Sequence, residues 1–214
     1  MKKILNLILT LVIMAAVPSM ALAINEDGTY TAKEMKEFRK QAEKMAKNKA
    51  KEFKKQGWNI NGSGDLAMML NKHYLKTENF GGKGIELQGN ANGIKNLSTA
   101  IMSARLAATR EYAAQVGTAL KEKIEGSNTI VGNIDSQNLI AGFEARVAQE
   151  LKGEINPSIV MYKKNKDGSY EVMSFFVVDP DATKALKIRT LKAEAEYMQL
   201  STEIANTISK FVNE

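Results

Sequence analysis

The side chains best placed to do chemistry in this chain are cations. Between Thr31 and Gln56 stand ten basic residues, Lys33, Lys36, Arg39, Lys40, Lys44, Lys47, Lys49, Lys51, Lys54 and Lys55, against four acids, Glu34, Glu37, Glu43 and Glu52, an excess of +6. Ammonium groups on a helix either stay hydrated and keep the protein soluble, or meet an anionic partner such as a lipid headgroup, an acidic polymer or nucleic acid. Residue types alone leave both open. On the second reading the contact residues are Lys36, Arg39, Lys40, Lys44, Lys47, Lys51, Lys54 and Lys55. Nucleic acid fits worst, because the arginine and aromatic interleaving that stacks bases is missing.

Proton transfer and metal binding are thinly supplied. His73 is the one histidine in the chain. It could pair with Asp65 or a serine, but a lone helical histidine reads first as structural, and no nucleophile elbow is present. A hydrolase would need His73 in a pocket beside a carboxylate. Zinc would have one imidazole and otherwise only carboxylates, an unusual set for that ion. Asn165 to Gly168 reads as a hairpin turn and Asp179 to Asp181 as a helix start, and neither has the ligand density of a calcium loop. Gly81-Gly82-Lys83-Gly84 lacks the spacing of a phosphate loop. Glu111 with Glu122, or Glu144 with Glu150, read as solvated or ion-paired helical residues rather than an acid pair. Arg105 and Arg110 sit in an alanine-rich stretch and need a carboxylate, a carbonyl or an anion if buried; a structural pairing is the expectation. No catalytic residue, metal or cofactor is assigned.

The element that must organise the rest is a long helix from Asn96 to Glu125. Leu97, Ile101, Ala104, Ala108, Tyr112, Val116, Leu120 and Ile124 recur three or four apart and line one stripe. Asn96 is its N-cap and Gly126 its stop, and its alanines let a sheet approach closely. A short apolar segment, Ile85 and Leu87, precedes it, followed by a polar, glycine-bearing break from Gly89 to Gly93. The basic helix runs from Thr31, in capping-box spacing with Glu34, to Gln56, with Gly57 as terminator. Trp58 and Ile60 anchor a connector, and Asp65 caps a short helix from Leu66 to about Leu75. Beyond a flexible Thr77–Gly84 loop and the long helix, Ser127 to Gly132 can form a strand. A helix follows from Ser136 to Lys152 with Leu139, Phe143, Val147 and Leu151 inward. Ser158–Lys164 and Ser169–Val178 make a hairpin around Asp167-Gly168, with the end of the second strand apolar on both faces. Asp179-Pro180 opens a final helix to about Val212, roughly 50 Å long.

Residues 1–23 read as a secretory signal: Lys2 and Lys3, an apolar run from Ile4 to Val17, and Ala21-Leu22-Ala23 before the cleavage point. The apolar run falls short of the ~20 residues of a spanning helix, so no transmembrane span is expected after cleavage. Residues 24–30 read as a frayed, disordered start and 31–214 as one α+β domain with helical extensions at both ends. There is no cysteine in the 214 residues, so neither a disulfide nor a lipid-bearing thiol is available. The formal charge of +6 becomes +4 once Lys2 and Lys3 leave.

With the central helix and the hairpin located, the chain resembles the LPP-twenty-like family of bacterial envelope proteins, which includes the N-terminal domain of a flagellar ring protein. The residues that carry the likeness are Gly84–Gly89 (GIELQG), Ser103–Val116 (SARLAATREYAAQV) and Tyr170–Val178 (YEVMSFFVV), within a span from Ile85 to Val178. The resemblance implies an α+β module, long helices packed on a small antiparallel sheet, and a role in envelope assembly or surface interaction rather than catalysis. The chain departs from the family in lacking the lipid-bearing cysteine and in adding the basic helix. The expectation is a non-enzymatic, exported, periplasmic or secreted protein that is not lipid-anchored. Its partner is an envelope protein or an anionic surface, not nucleic acid, with a homo-oligomer through the long helices as a further option. The alternatives are an anionic-polymer or surface binder acting through the lysine-rich helix 31–56, and a hydrolase of unknown substrate.

Overall fold

A computed structural model of the protein describes residues 31–78, 84–127 and 135–211. The signal and the polar start expected before residue 31 lie outside them, as do most of the expected 127–132 strand and the core of the 77–84 loop. The chain divides into two compact units, Met1–Phe38 and Arg39–Glu214. The described part of the first is the start of helix α1 (Ala32–Lys55). Here the expected capping box is present: Thr31 N–H donates to Glu34 Oε2 at 2.8 Å and Glu34 N–H to Thr31 Oγ1 at 3.2 Å, which satisfies two orphan donors reciprocally.

The second unit is an α+β fold built on a four-stranded antiparallel sheet, in the order β1 (Asn59–Ile60), β3 (Pro157–Lys164), β4 (Tyr170–Val178), β2 (Ile85–Ile94). The hairpin is where its composition predicts it. Gly168 has φ 83°, and Asp167 Oδ1 accepts from the Ser169 amide at 2.9 Å and the Ser169 hydroxyl at 2.7 Å, which fixes the turn. Both faces of β4 are covered, as its apolar end requires. On one face Phe175, with Ile159 and Met161 of β3, packs against Ala46, Ala50 and Phe53 of α1 and Leu66 and Leu70 of α2 (Leu66–Glu78). On the other, Phe176 and Val178 join Leu87 of β2 beneath α3 (Leu97–Glu125), α4 (Ser136–Glu154) and α5 (Pro180–Tyr197).

The helix α3 is capped as expected at its start, where Asn96 Oδ1 accepts from the Thr99 amide at 2.9 Å. Gly126 ends it with φ −73°, so the left-handed freedom of glycine goes unused there. Glycine matters instead at Gly89, which is not a break. It pairs with Ser174 inside the β2–β4 ladder, and the register slips only between Ala91 and Ile94. A Cβ on Gly89 would lie 1.8 Å from the Ala104 carbonyl oxygen, so glycine is what lets the α3 backbone lie against the strand. The α4 stripe of Leu139, Phe143, Val147 and Leu151 is buried, each such side chain contributing about 1.5–3 kcal/mol. The helix continues through Gly153 to Glu154, past its expected end.

The final helical region is present, but it is not one continuous helix. It bends back after α5, where Gln199 takes φ 56°, Leu200 N–H donates to Ala195 O and Gln199 N–H to Glu196 O, both at 3.0 Å. This is a Schellman cap, and Ser201 Oγ then caps α6 (Thr202–Phe211) by accepting from the Ile204 amide. The turn carries Ile208 into the main core and leaves Tyr197 75% exposed. The single helix expected to run to about Val212 is therefore divided into α5 and α6.

Candidate functional site

The exposed cations of α1 come first. Helices bury one stripe and leave the opposite face to water, and Ala42, Ala46, Ala50 and Phe53 supply the buried stripe here. Arg39, Lys40, Lys44, Lys47, Lys51, Lys54 and Lys55, all within the second unit, are exposed; Lys36, also exposed, belongs to the first. Lys47 pairs with Glu43 at 2.6 Å, Lys49 with Glu52 at 3.1 Å, and Lys54 with Asp65 at 2.9 Å. The last pair, helped by the Ala67 amide, holds the Asp65 carboxyl below its usual range. Among the described residues no carboxylate lies within ion-pair distance of Arg39, Lys40, Lys44, Lys51 or Lys55. Exposed pairs contribute about 0–1 kcal/mol, so these charges do little for the fold.

A second constellation forms around His73. Its Nδ1 lies 2.6 Å from Ser158 Oγ and its Nε2 2.6 Å from Glu86 Oε2. The ring is also tilted against Phe175, centroids 5.5 Å apart. Three elements bring these groups together. His73 points inward from α2, and Glu86 lies on the α2-facing side of β2. Ser158 sits at a register irregularity between Pro157 and Ile159, a bulge that turns its hydroxyl toward the same side. Asp65, the carboxylate offered for His73 on sequence grounds, pairs with Lys54 instead. The expected serine partner is present, and the carboxylate is Glu86. Neither residue was singled out from sequence, although Glu86 is a lone charge between two apolar strand residues, Ile85 and Leu87.

Serine, imidazole and carboxylate in a row invite comparison with a hydrolase triad, and two observations weigh against that use. In the serine protease arrangement the hydroxyl meets Nε2 and the carboxylate meets Nδ1; here the order is reversed. His73 is 2% and Ser158 9% exposed, and Ser158 Oγ also lies 3.0 Å from the Phe175 carbonyl oxygen. One hydroxyl hydrogen serves either the ring or that carbonyl. What the cluster does chemically is satisfy buried polar atoms while clamping α2 across β3, β4 and β2. Burial first, and the Glu86 charge second, push the neighbouring Tyr74 phenol up.

The arginines behave as helical braces. Arg105 donates to the carbonyl oxygens of Lys152 at 2.6 Å and Ile155 at 2.5 Å, which ties α3 to the C-terminal end of α4, where carbonyls lack partners. Arg110 is exposed. Arg146 Nε donates to Glu194 Oε2 at 2.5 Å, and Arg189 binds Glu150 and Glu154. Glu150 is therefore a structural partner across helices. Among the described residues no group of three or more metal-ligating side chains gathers, and no helix is long and apolar enough to cross a membrane. Comparison with protein-family models, curated proteins and solved structures finds no match for the chain.

Proposed function

We propose that this is a non-enzymatic, exported protein of the cell envelope that works by binding or assembly, and that it meets an anionic partner through α1. The observation that supports this most is the coincidence of sequence and surface: every cation named from sequence as a contact is exposed. Six of them, all but Lys47 and Lys54, have no carboxylate partner among the described residues. The resemblance to envelope proteins and the signal-like start point to the same compartment. Incubating the mature protein with isolated envelope fractions tests the reading: salt-sensitive co-sedimentation is expected, and a protein that stays soluble at every ionic strength would overturn it. Self-association through the final helices has less to draw on, because α6 folds back onto its own core through Ile208; light scattering of the mature protein decides that point.

The second reading, a hydrolase, is favoured by one contact, Ser158 Oγ to His73 Nδ1 at 2.6 Å. A fluorophosphonate probe separates the two. No labelling is expected, and labelling abolished by Ser158→Ala would establish a nucleophile.

A further inference from the structure

The strand order β1-β3-β4-β2 leaves the far edge of β2, ten residues long, without a partner among the described residues. Such an edge is a template for another strand, and proteins blunt it with lysine, proline or a cover. The opposite edge is treated that way: β1 covers part of β3, and Pro157, Lys163 and Lys164 stand along the rest. β2 holds neither lysine nor proline, its one charge is Glu86, and its bulge comes late, between Ala91 and Ile94. The ladder fixes which backbone groups face outward. Val160 O accepts from the Asn61 amide, so Val160 turns toward β1 and its partner Ser174 turns toward β2, where it meets Gly89. Antiparallel residues alternate in this respect, which aims the N–H and C=O groups of Glu86, Gln88 and Asn90 at the free edge. Gly89 faces α3, so the side chains of these three share the other face, where Gln88 Nε2 donates to Asn90 Oδ1 at 3.1 Å. Gly93, with φ 74°, is the extra residue of the bulge. Past it Ile94 joins the α3 face, which puts Lys95 on the face of Glu86.

We propose that this edge pairs with the same edge of a second copy of the chain, antiparallel about a twofold axis through Asn90. Asn90 then meets its own mate, Gln88 meets Asn92, and Glu86 meets Lys95 across the bulge. Amide faces amide and carboxylate faces ammonium, with no like charges opposed. Glu86 gives one oxygen to His73, yet its side chain stays 44% exposed, and Lys95 is exposed, so both are available to the pairing. Centring it on Gln88 instead would set Glu86 against Asn90 and leave Lys95 past the end of the facing strand. This charge match is what selects a second copy over an unrelated strand. A strand-to-strand contact is smaller than a standard interface of ~1,600 Å², so the dimer comes apart on dilution.

Sedimentation equilibrium of the full mature protein over a concentration series, together with cross-linking, tests this. The chain has no cysteine, so Asn90→Cys supplies one thiol per copy. Hydrogen-bonded residues directly opposite each other have Cα atoms ~5.5 Å apart, within disulfide reach. Expected are a reversible monomer–dimer equilibrium, a disulfide-linked dimer of Asn90→Cys under mild oxidation, and none from the exposed Asn59→Cys on β1. Lys95→Glu should lower the dimer affinity about tenfold, since both symmetric charge pairs turn repulsive. In Asn90→Pro the lost donor points outward, so the β2–β4 ladder is kept and the dimer is lost; a circular dichroism melt checks the fold. A protein that is monomeric at every concentration would overturn the proposal, including one that takes up an extended strand of another protein. So would a dimer that withstands Lys95→Glu and Asn90→Pro, which would place the contact elsewhere. Cross-linking of Asn90→Cys no faster than that of Asn59→Cys would overturn it too, and decides the matter if Asn90→Pro does not fold.

Discussion

Two buried serines make opposite predictions. Ser158 is tied to His73 and to the Phe175 carbonyl, so Ser158→Ala leaves a buried ring nitrogen without its partner. Stranding such a group costs about 1–3 kcal/mol, and urea denaturation should show a loss of that size with the far-UV spectrum unchanged. The Ser174 hydroxyl is buried with no hydrogen-bond partner among the described residues, so Ser174→Ala removes a desolvated group and little else. A gain of about 1 kcal/mol is expected on the same arithmetic; a loss would mean that the hydroxyl has a partner after all. Arg146 argues in a third way. Glu194 is 5% exposed and its carboxylate is held by Arg146, so Arg146→Ala leaves a buried charge unpaired. About 3 kcal/mol should be lost, and the double variant with Glu194→Gln should recover much of it.

Between α3 and β2 the decisive feature is closeness. Gly89→Ala would push a methyl group into the Ala104 carbonyl, backbone that cannot rotate away. The expected loss is about 3 kcal/mol or more, at or above the top of the overpacking range, and a melting temperature within a degree of the wild type would show that the helix can lift off the strand. This contact also marks the boundary of what the sequence reveals. The alanine stripe of α3 announces a close neighbour through its 3.6-residue period. Gly89-Asn90-Ala91 has no strand pattern of its own, so it looks like a break until the helix above it is known. The apolar alternation of Tyr170–Val178 and the Asp-Gly turn are local signals, and both hold in the fold. The Schellman turn at Gln199 lacks its usual glycine and is invisible for that reason. Helix period places His73 on the inner face of α2. Its partners come from strands 13 and 85 residues away, and one of them is aimed by a bulge that no residue pattern announces. The cationic face needed no tertiary information, because charge on the outside of a helix follows from spacing alone.

The sheet is covered on both faces, and each cover holds a phenol whose ionisation is opposed by burial. Tyr112, on α3, is pushed above its ordinary value of 10.0 mainly by burial, with a hydrogen bond to Thr183 pulling the other way. Tyr74, on α2 at the opposite face, is pushed up by burial and by the charges of Glu86 and Glu52. For a group raised by folding, the folded chain keeps a proton that the unfolded chain has released. Its contribution is therefore complete below pH 10 and is lost as the pH climbs from there through the raised folded value. A single group of this kind tilts stability by at most about 1.4 kcal/mol per pH unit. Denaturant midpoints should accordingly fall between pH 10 and pH 11. Tyr112→Phe is expected to decline less steeply with alkali than the wild type, because it has no phenol to ionise. Its slope carries the argument rather than its starting point: a Tyr112→Phe protein that declines as steeply as the wild type would mean that the α3 phenol is no more protected in the fold than in the open chain.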